Sequence, residues 1–222
     1  FMRKEYSLNI TVVTDAVCPW CYVGDRRLAQ ALDQAKQKWP EFEATIDYAP
    51  FQLDTAMGKG LDKTEVYRRK FGDRAADLNR RLAEAGSEVG IEFKFGGLMS
   101  NTLDWHRLVD YAKLQGGAGA DARVVQSLFR RYFEQEQDIG DHEVLLAAAA
   151  DAGLDRERTR AYLQSDDGID ALRERMAQIR KLGVTGVPFY IINDQFGISG
   201  AETPDTFVAA FEKVFQCQCE SK

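Results

Sequence analysis

Strand-like sequence sits at the two ends of this 222-residue chain, and the stretch from Leu61 to Leu182 between them reads as helix. That division constrains the fold more than any single motif. "LNITVVTDAV" (Leu8 to Val17) is rich in β-branched apolar residues and predicts a buried strand. "FEATIDYAPFQL" (Phe42 to Leu53) predicts a second, with Ile46 and Tyr48 on alternating positions. Between them, "YVGDRRLAQALDQAKQKW" spaces Leu28, Ala31, Leu32 and Ala35 as one helical face, and Pro40 closes it. Strand, helix, strand is the pattern of a parallel unit with a helical crossover. At the other end, "VPFYIIND" (Val187 to Asp194) and "QFGISG" (Gln195 to Gly200) predict a hairpin that turns at Asn193-Asp194. "TPDTFVAAFEKVF" predicts a final helix with Pro204 in its first turn.

The middle is a series of helical patterns. "DRAADLNRRLAEAGSEVG" sets Leu78, Leu82 and Ala85 on one face, and "ARVVQSLFRRYFEQEQDIG" does the same with Val125, Leu128, Phe129 and Tyr132. "NTLDWHRLVDYAKLQGG" opens on a capping candidate, Asn101 or Thr102, and ends on a glycine pair. Strands at both ends can share one sheet only if these helices are an insertion. The expected fold is therefore α/β: a mixed central sheet flanked by helices, with a large all-helical insertion. Residues 1–60 and 183–222 are expected to form one discontinuous domain, and 61–182 the inserted helical domain.

Composition narrows the function. Hydrophobic residues make up 45% and charged ones 29%, enough to bury a sizeable core. The net charge is −6 and no basic cluster offsets it, which disfavours nucleic acid as a partner. No apolar run approaches the ~20 residues of a membrane span. The first apolar run, Ile10 to Val13, is broken by Thr11 and is shorter than a secretory signal, so a cytoplasmic location is expected. In a reducing compartment a close cysteine pair is catalytic, redox-sensing or metal-binding more often than a permanent crosslink.

Such a pair lies in "DAVCPWCYVG", where the first strand hands over to the first helix. A thiol at that junction faces unpaired backbone N–H groups and the positive end of the helix dipole. Both favour thiolate, and thiols so placed titrate in the range ~3.5–7.5 instead of ~8.5. Pro19 would occupy the first helical position, where its missing N–H costs nothing. Cys18 would attack, and Cys21, one turn further in, would resolve the mixed disulfide. Two other uses of the pair stay open: half of a zinc site completed by Cys217 and Cys219 or by His106 and His142, and a redox-sensing interaction module. "GVTGVPFY" adds Pro188 at the start of an apolar strand, where proline is rare outside first and edge positions. A cis Val187–Pro188 bond there would present backbone to an extended substrate segment.

Together, CPWC at a helix start and "LGVTGVPFYII" before a hairpin and helix resemble the thioredoxin superfamily, specifically its DsbA-like group. "NTLDWHRL", "FEQEQDIGDHEVLLAAAADAGLD" and "ISGAETPDTF" are similar to the FrnE-like branch, described as dithiol-disulfide isomerases. The resemblance runs from about residue 8 to about residue 212. It implies a thioredoxin fold, a redox-active Cys18/Cys21 pair, a cis Pro188 and a helical lid, with no cofactor and no resident metal. Disulfide- or thiol-containing protein substrates, and glutathione, are the implied partners. Trp20, Val187 and Pro188 are the expected substrate contacts, and Pro19, His106 and Ser199 are accessory candidates. Trp105 departs from the branch, which carries a small residue there. Kappa-class glutathione transferases supply the rival activity, but they place a serine where this chain has Cys18. Cys217 and Cys219 form a C-x-C pair expected beyond the last helix, with no role in turnover.

Overall fold

The computed structural model describes residues 6–220, with the side chains of 218–220 outside the described set. The elements run β1 (Ser7–Thr14), α1 (Pro19–Lys38), β2 (Glu43–Pro50), β3 (Leu61–Asp62), α2 (Lys63–Phe71) and a 3-10 turn at Gly72–Arg74. Then follow α3 (Ala75–Glu88), β4 (Leu98–Met99), α4 (Leu103–Gln115), α5 (Ala120–Phe133), α6 (His142–Asp151), α7 (Arg156–Gln164) and α8 (Ile169–Lys181). The chain closes with β5 (Phe189–Ile192), β6 (Phe196–Ser199) and α9 (Pro204–Glu220).

The ends of the chain do share one sheet, in the order β2-β1-β5-β6. β1 and β2 are parallel, joined through α1, while β1–β5 and β5–β6 are antiparallel. The mixed sheet follows from connection lengths: a helix separates the parallel pair, and a three-residue turn, Asn193 to Gln195, joins the hairpin. That turn has positive φ at both Asn193 (49°) and Asp194 (55°), the geometry that matches the right-handed twist of its strands. One face of the sheet buries Leu8, Ile10, Val12, Tyr48, Tyr190 and Ile192 in a cluster with Phe207 and Phe211 of α9. The opposite face buries Val13, Ala49 and Phe51 against Ile179 of α8 and against Val184. Thus α8 lies within residues 61–182 in sequence and covers the sheet in space.

The middle helices share the larger apolar cluster with α1. Tyr22, beside Cys21, stacks on Phe129 at 5.1 Å and Phe133 at 6.0 Å between ring centroids. The dithiol helix is therefore held between sheet and insertion. Two details differ from the sequence expectation. A short ladder, Leu61 opposite Met99 and Asp62 opposite Leu98, interrupts the helical stretch. Strands of two residues are too short to show a period of two. And α9 runs on to Glu220, because no glycine or proline follows Phe215 to stop it. Cys217 is accordingly an exposed residue of that helix rather than of a tail after it, and the Cys219 side chain lies outside the described residues.

Candidate active site

β1 ends at Thr14, and a tight turn carries the chain into α1, closed by the Cys18 N–H donating to the Asp15 carbonyl at 3.1 Å. Cys18 is the N-cap of α1, with extended backbone (φ −91°, ψ 107°), and Pro19 follows at the first helical position. No side chain caps this helix, and Cys18 stands at its N-terminal end. The Cys21 N–H donates to the Cys18 carbonyl at 3.0 Å, fixing the pair one turn apart. Both thiols are unbridged and buried, Cys18 at 6% and Cys21 at 2% exposure. Burial pushes the Cys21 thiol well above its ordinary value, and the neighbouring Cys18 adds to the rise. The Thr14 side chain and the Asp15 backbone oppose it by hydrogen-bonding the sulfur.

Opposite the pair runs the loop into β5. Val187–Pro188 is cis, as the resemblance implies. Cys18 Sγ donates to the Val187 carbonyl at 3.5 Å, so the proline loop and the dithiol touch. The Gly200 N–H donates to the Pro188 carbonyl at 2.9 Å, and Ser199 pairs with Phe189, which places Ser199 at the end of the hairpin strand beside this loop. Trp20 is 36% exposed, the largest apolar surface next to Cys18, while Pro19 and Val187 are half-buried.

His106 of α4 comes to the same place from the insertion. It is 2% exposed; its Nε2 lies 3.0 Å from the Phe51 carbonyl and 3.4 Å from Asp15 Oδ1. The Phe51 contact makes Nε2 the protonated nitrogen, since a carbonyl only accepts. Asp15 Oδ2 accepts the Leu53 N–H at 2.8 Å, whereas Oδ1 has no hydrogen-bond partner. Trp105 fills the insertion core at 1% exposure, edge-on to His106 at 4.7 Å. His142 is elsewhere, paired with Asp104 at 2.9 Å. Among the described residues, no group of three or more His, Cys, Asp or Glu side chains converges to hold a metal.

Four residues near the pair carry contacts that the sequence reading did not single out. Asp15 ties the dithiol turn to α4 and to the segment after β2. Thr14 meets the Cys21 sulfur. Asp25, one turn past Cys21, is 5% exposed; Tyr48 Oη donates to its Oδ1 at 2.7 Å and Gln126 Nε2 to its Oδ2, while burial raises its carboxyl. Tyr190 sits in β5, fully buried. An acid between an apolar strand and CPWC, and a lone hydroxyl in an otherwise apolar strand, were the available signals. A strand-to-helix thiol with a second thiol behind it and a backbone carbonyl across the cleft can form a mixed disulfide and then release it.

The geometry has close counterparts. The DsbA-like thioredoxin domain family matches residues 9–212. YwbO of Bacillus subtilis, described as uncharacterized, is 25% identical over 211 residues, covering 92% of this chain and 96% of its own. The crystal structure of the probable DsbA oxidoreductase SCO1869 from Streptomyces coelicolor superposes with a TM-score of 0.86 at 26% identity, covering 94% of this chain and 90% of that one. The cytosolic disulfide reductase DsbM from Pseudomonas aeruginosa, solved with GSH, has the same fold at 18% identity, with a TM-score of 0.63, 94% of this chain and 99% of that one.

Proposed function

This chain belongs to the DsbA-like thioredoxin domain family, and from that premise we propose that it is a thiol–disulfide oxidoreductase working through Cys18 and Cys21. The observation that carries the proposal is the pair itself: two unbridged thiols at the start of α1, with Cys18 Sγ against the Val187 carbonyl. Cys18 is the attacking thiol, because it caps the helix and is the less buried of the two. Cys21 resolves. The Val187 backbone and Pro188 line one side of the substrate path and Trp20 the other, so that an extended segment passes over Cys18. His106, through Asp15, holds the turn from the insertion side. Disulfide-bearing proteins are the proposed substrates and glutathione a proposed thiol partner; the glutathione complex of the DsbM fold relative supports the latter. The working compartment is proposed to be the cytoplasm, in keeping with that relative's description. Among the described residues no helix is long and apolar enough to cross a membrane.

The test is asymmetry within the pair. Cys18→Ser abolishes reduction of a disulfide-linked protein such as insulin. Cys21→Ser keeps the attack and accumulates a mixed disulfide with the substrate, seen by mass spectrometry after acid quench. Equal trapping by both variants, or by neither, sinks the assignment.

A further inference from the structure

Tyr190 has a buried hydroxyl with no hydrogen-bond partner. It stands on β5 opposite Val12, and its ring meets Phe207 edge-on at 4.8 Å. Its hydroxyl reaches across to α1 at Gly24, where a Cβ would collide with it. Gly24 has no positive φ, so its backbone does not demand glycine there; the missing side chain leaves room for the hydroxyl. Gly24 lies three residues past Cys21, the spacing that puts two positions on one helix face. A phenylalanine would fill the same space without the desolvation cost of an unpaired hydroxyl. Burial, then the neighbouring Cys21, Asp25 and Cys18, hold Tyr190 well above its ordinary value, so the hydroxyl keeps its proton and remains a donor. Asp25 already accepts from Tyr48 and Gln126, one bond on each oxygen. The Cys21 sulfur, one turn before Gly24 on the same face of α1, is the group here that gains negative charge only while it reacts.

We propose that Tyr190 is the hydrogen-bond donor to Cys21 as its thiolate forms during resolution, on the reading that Cys18 attacks and Cys21 resolves. In that step the Cys21 sulfur attacks Cys18 Sγ of the mixed disulfide. The Cys18–Cys21 bond forms and the bond from Cys18 to the substrate sulfur breaks. The electron pair leaves on the substrate thiolate, which ends with the proton that Cys21 gave up. Tyr190 keeps its own proton throughout and shares it with the Cys21 sulfur while that sulfur is charged, alongside Thr14 and the Asp15 N–H. The dithiol is oxidised, the substrate disulfide reduced, and no further reactant is needed.

Tyr190→Phe tests this by rapid mixing with a disulfide-linked protein, acid quench and mass spectrometry, beside a melting curve. In Tyr190→Phe the mixed disulfide is expected to disappear about tenfold more slowly than in the wild type. In a Cys21→Ser background, Tyr190→Phe should leave the rate at which that disulfide forms unchanged, and the melting temperature should not fall. Wild-type resolution in Tyr190→Phe overturns the proposal. Equal slowing of formation and resolution overturns it too, since that is what a packing defect produces. If Cys21→Ser alone traps nothing, the dithiol reading has failed instead, and the two failures are told apart.

Discussion

His106 and Arg107 are neighbours on α4 and each is 2% exposed, yet their surroundings are opposite. Arg107 turns toward α7 and saturates its guanidinium. Its Nη2 donates to the carbonyls of Ser165 at 2.7 Å, Tyr162 at 2.9 Å and Asp167 at 2.9 Å. Its Nη1 donates to Asp104 at 2.7 Å and to the Leu163 carbonyl at 3.4 Å, and Nε to Asp167 at 3.1 Å. The carbonyls at the end of α7, which a helix leaves unpaired, are thereby satisfied. His106 turns toward the dithiol and makes one hydrogen bond there, beside an Asp15 oxygen with none. The buried Tyr190 hydroxyl also has none. On the Arg107 side of α4 the buried charge is fully engaged, whereas on the His106 side a buried carboxylate oxygen is left without a partner, and a buried group short of a partner is one that can respond when charge develops on a sulfur.

The largest expected effect breaks the saturated side. Arg107→Ala leaves Asp104 and a set of carbonyls without their donor and should cost about 3–5 kcal/mol in urea unfolding. The folded fraction should still form the mixed disulfide at the wild-type rate. A matching loss in that rate erases the separation between the two sides.

Lys63 is an intermediate case that sharpens the contrast. It is 3% exposed, with Nζ 3.3 Å from the Tyr132 carbonyl and 3.8 Å from the Tyr132 ring centroid. Burial pulls its ammonium down to about 8 from 10.5, and the charge of Glu136 opposes that. Between those values the unfolded chain binds more protons than the folded one, so stability from this group rises as pH climbs from 8 to 10.5. Relative to Lys63→Met, the wild type should gain about 2 kcal/mol from pH 7.5 to pH 10, since each tenfold difference in proton affinity between folded and unfolded chain is worth about 1.4 kcal/mol. Unfolding curves at the two pH values check it, and a gain of zero places Lys63 with the saturated groups.

The smallest effect concerns the far end of α9. The double variant Cys217→Ser, Cys219→Ser should turn over disulfide-linked protein at the wild-type rate, because Cys217 is exposed on the last turns of α9, past Phe207 and Phe211, the residues through which that helix packs on the sheet. A large loss, with the fold intact by circular dichroism, would place redox chemistry outside the cleft.

Much of this was legible in one dimension. The hairpin turn, the strand-to-helix position of CPWC, Pro19 at the first helical position and most helix starts are local matters of φ, capping and spacing. Asp62, Asp141 and Asp155 cap α2, α6 and α7 with their side chains, each visible as an acid before a helical pattern. The misses were short or distant. The β3–β4 ladder is below the length at which alternation can be seen, and α9 overran its expected end for want of a stop signal.

The sequence by itself determined the strands of the main sheet and the helices between them, that the chain's ends must close one sheet around an insertion, and which two sulfurs stand at a helix start. Those follow from periods, breakers and neighbours within a few residues. Only the tertiary structure decided what surrounds the sulfurs. The Asp15–His106 contact, the six-bond seat of Arg107, the Tyr190 hydroxyl over Gly24 and the Val187 carbonyl facing Cys18 all join residues far apart in the chain. Packing selects such pairs from many chemically equivalent candidates, and no local preference distinguishes the partner that is chosen from those that are not.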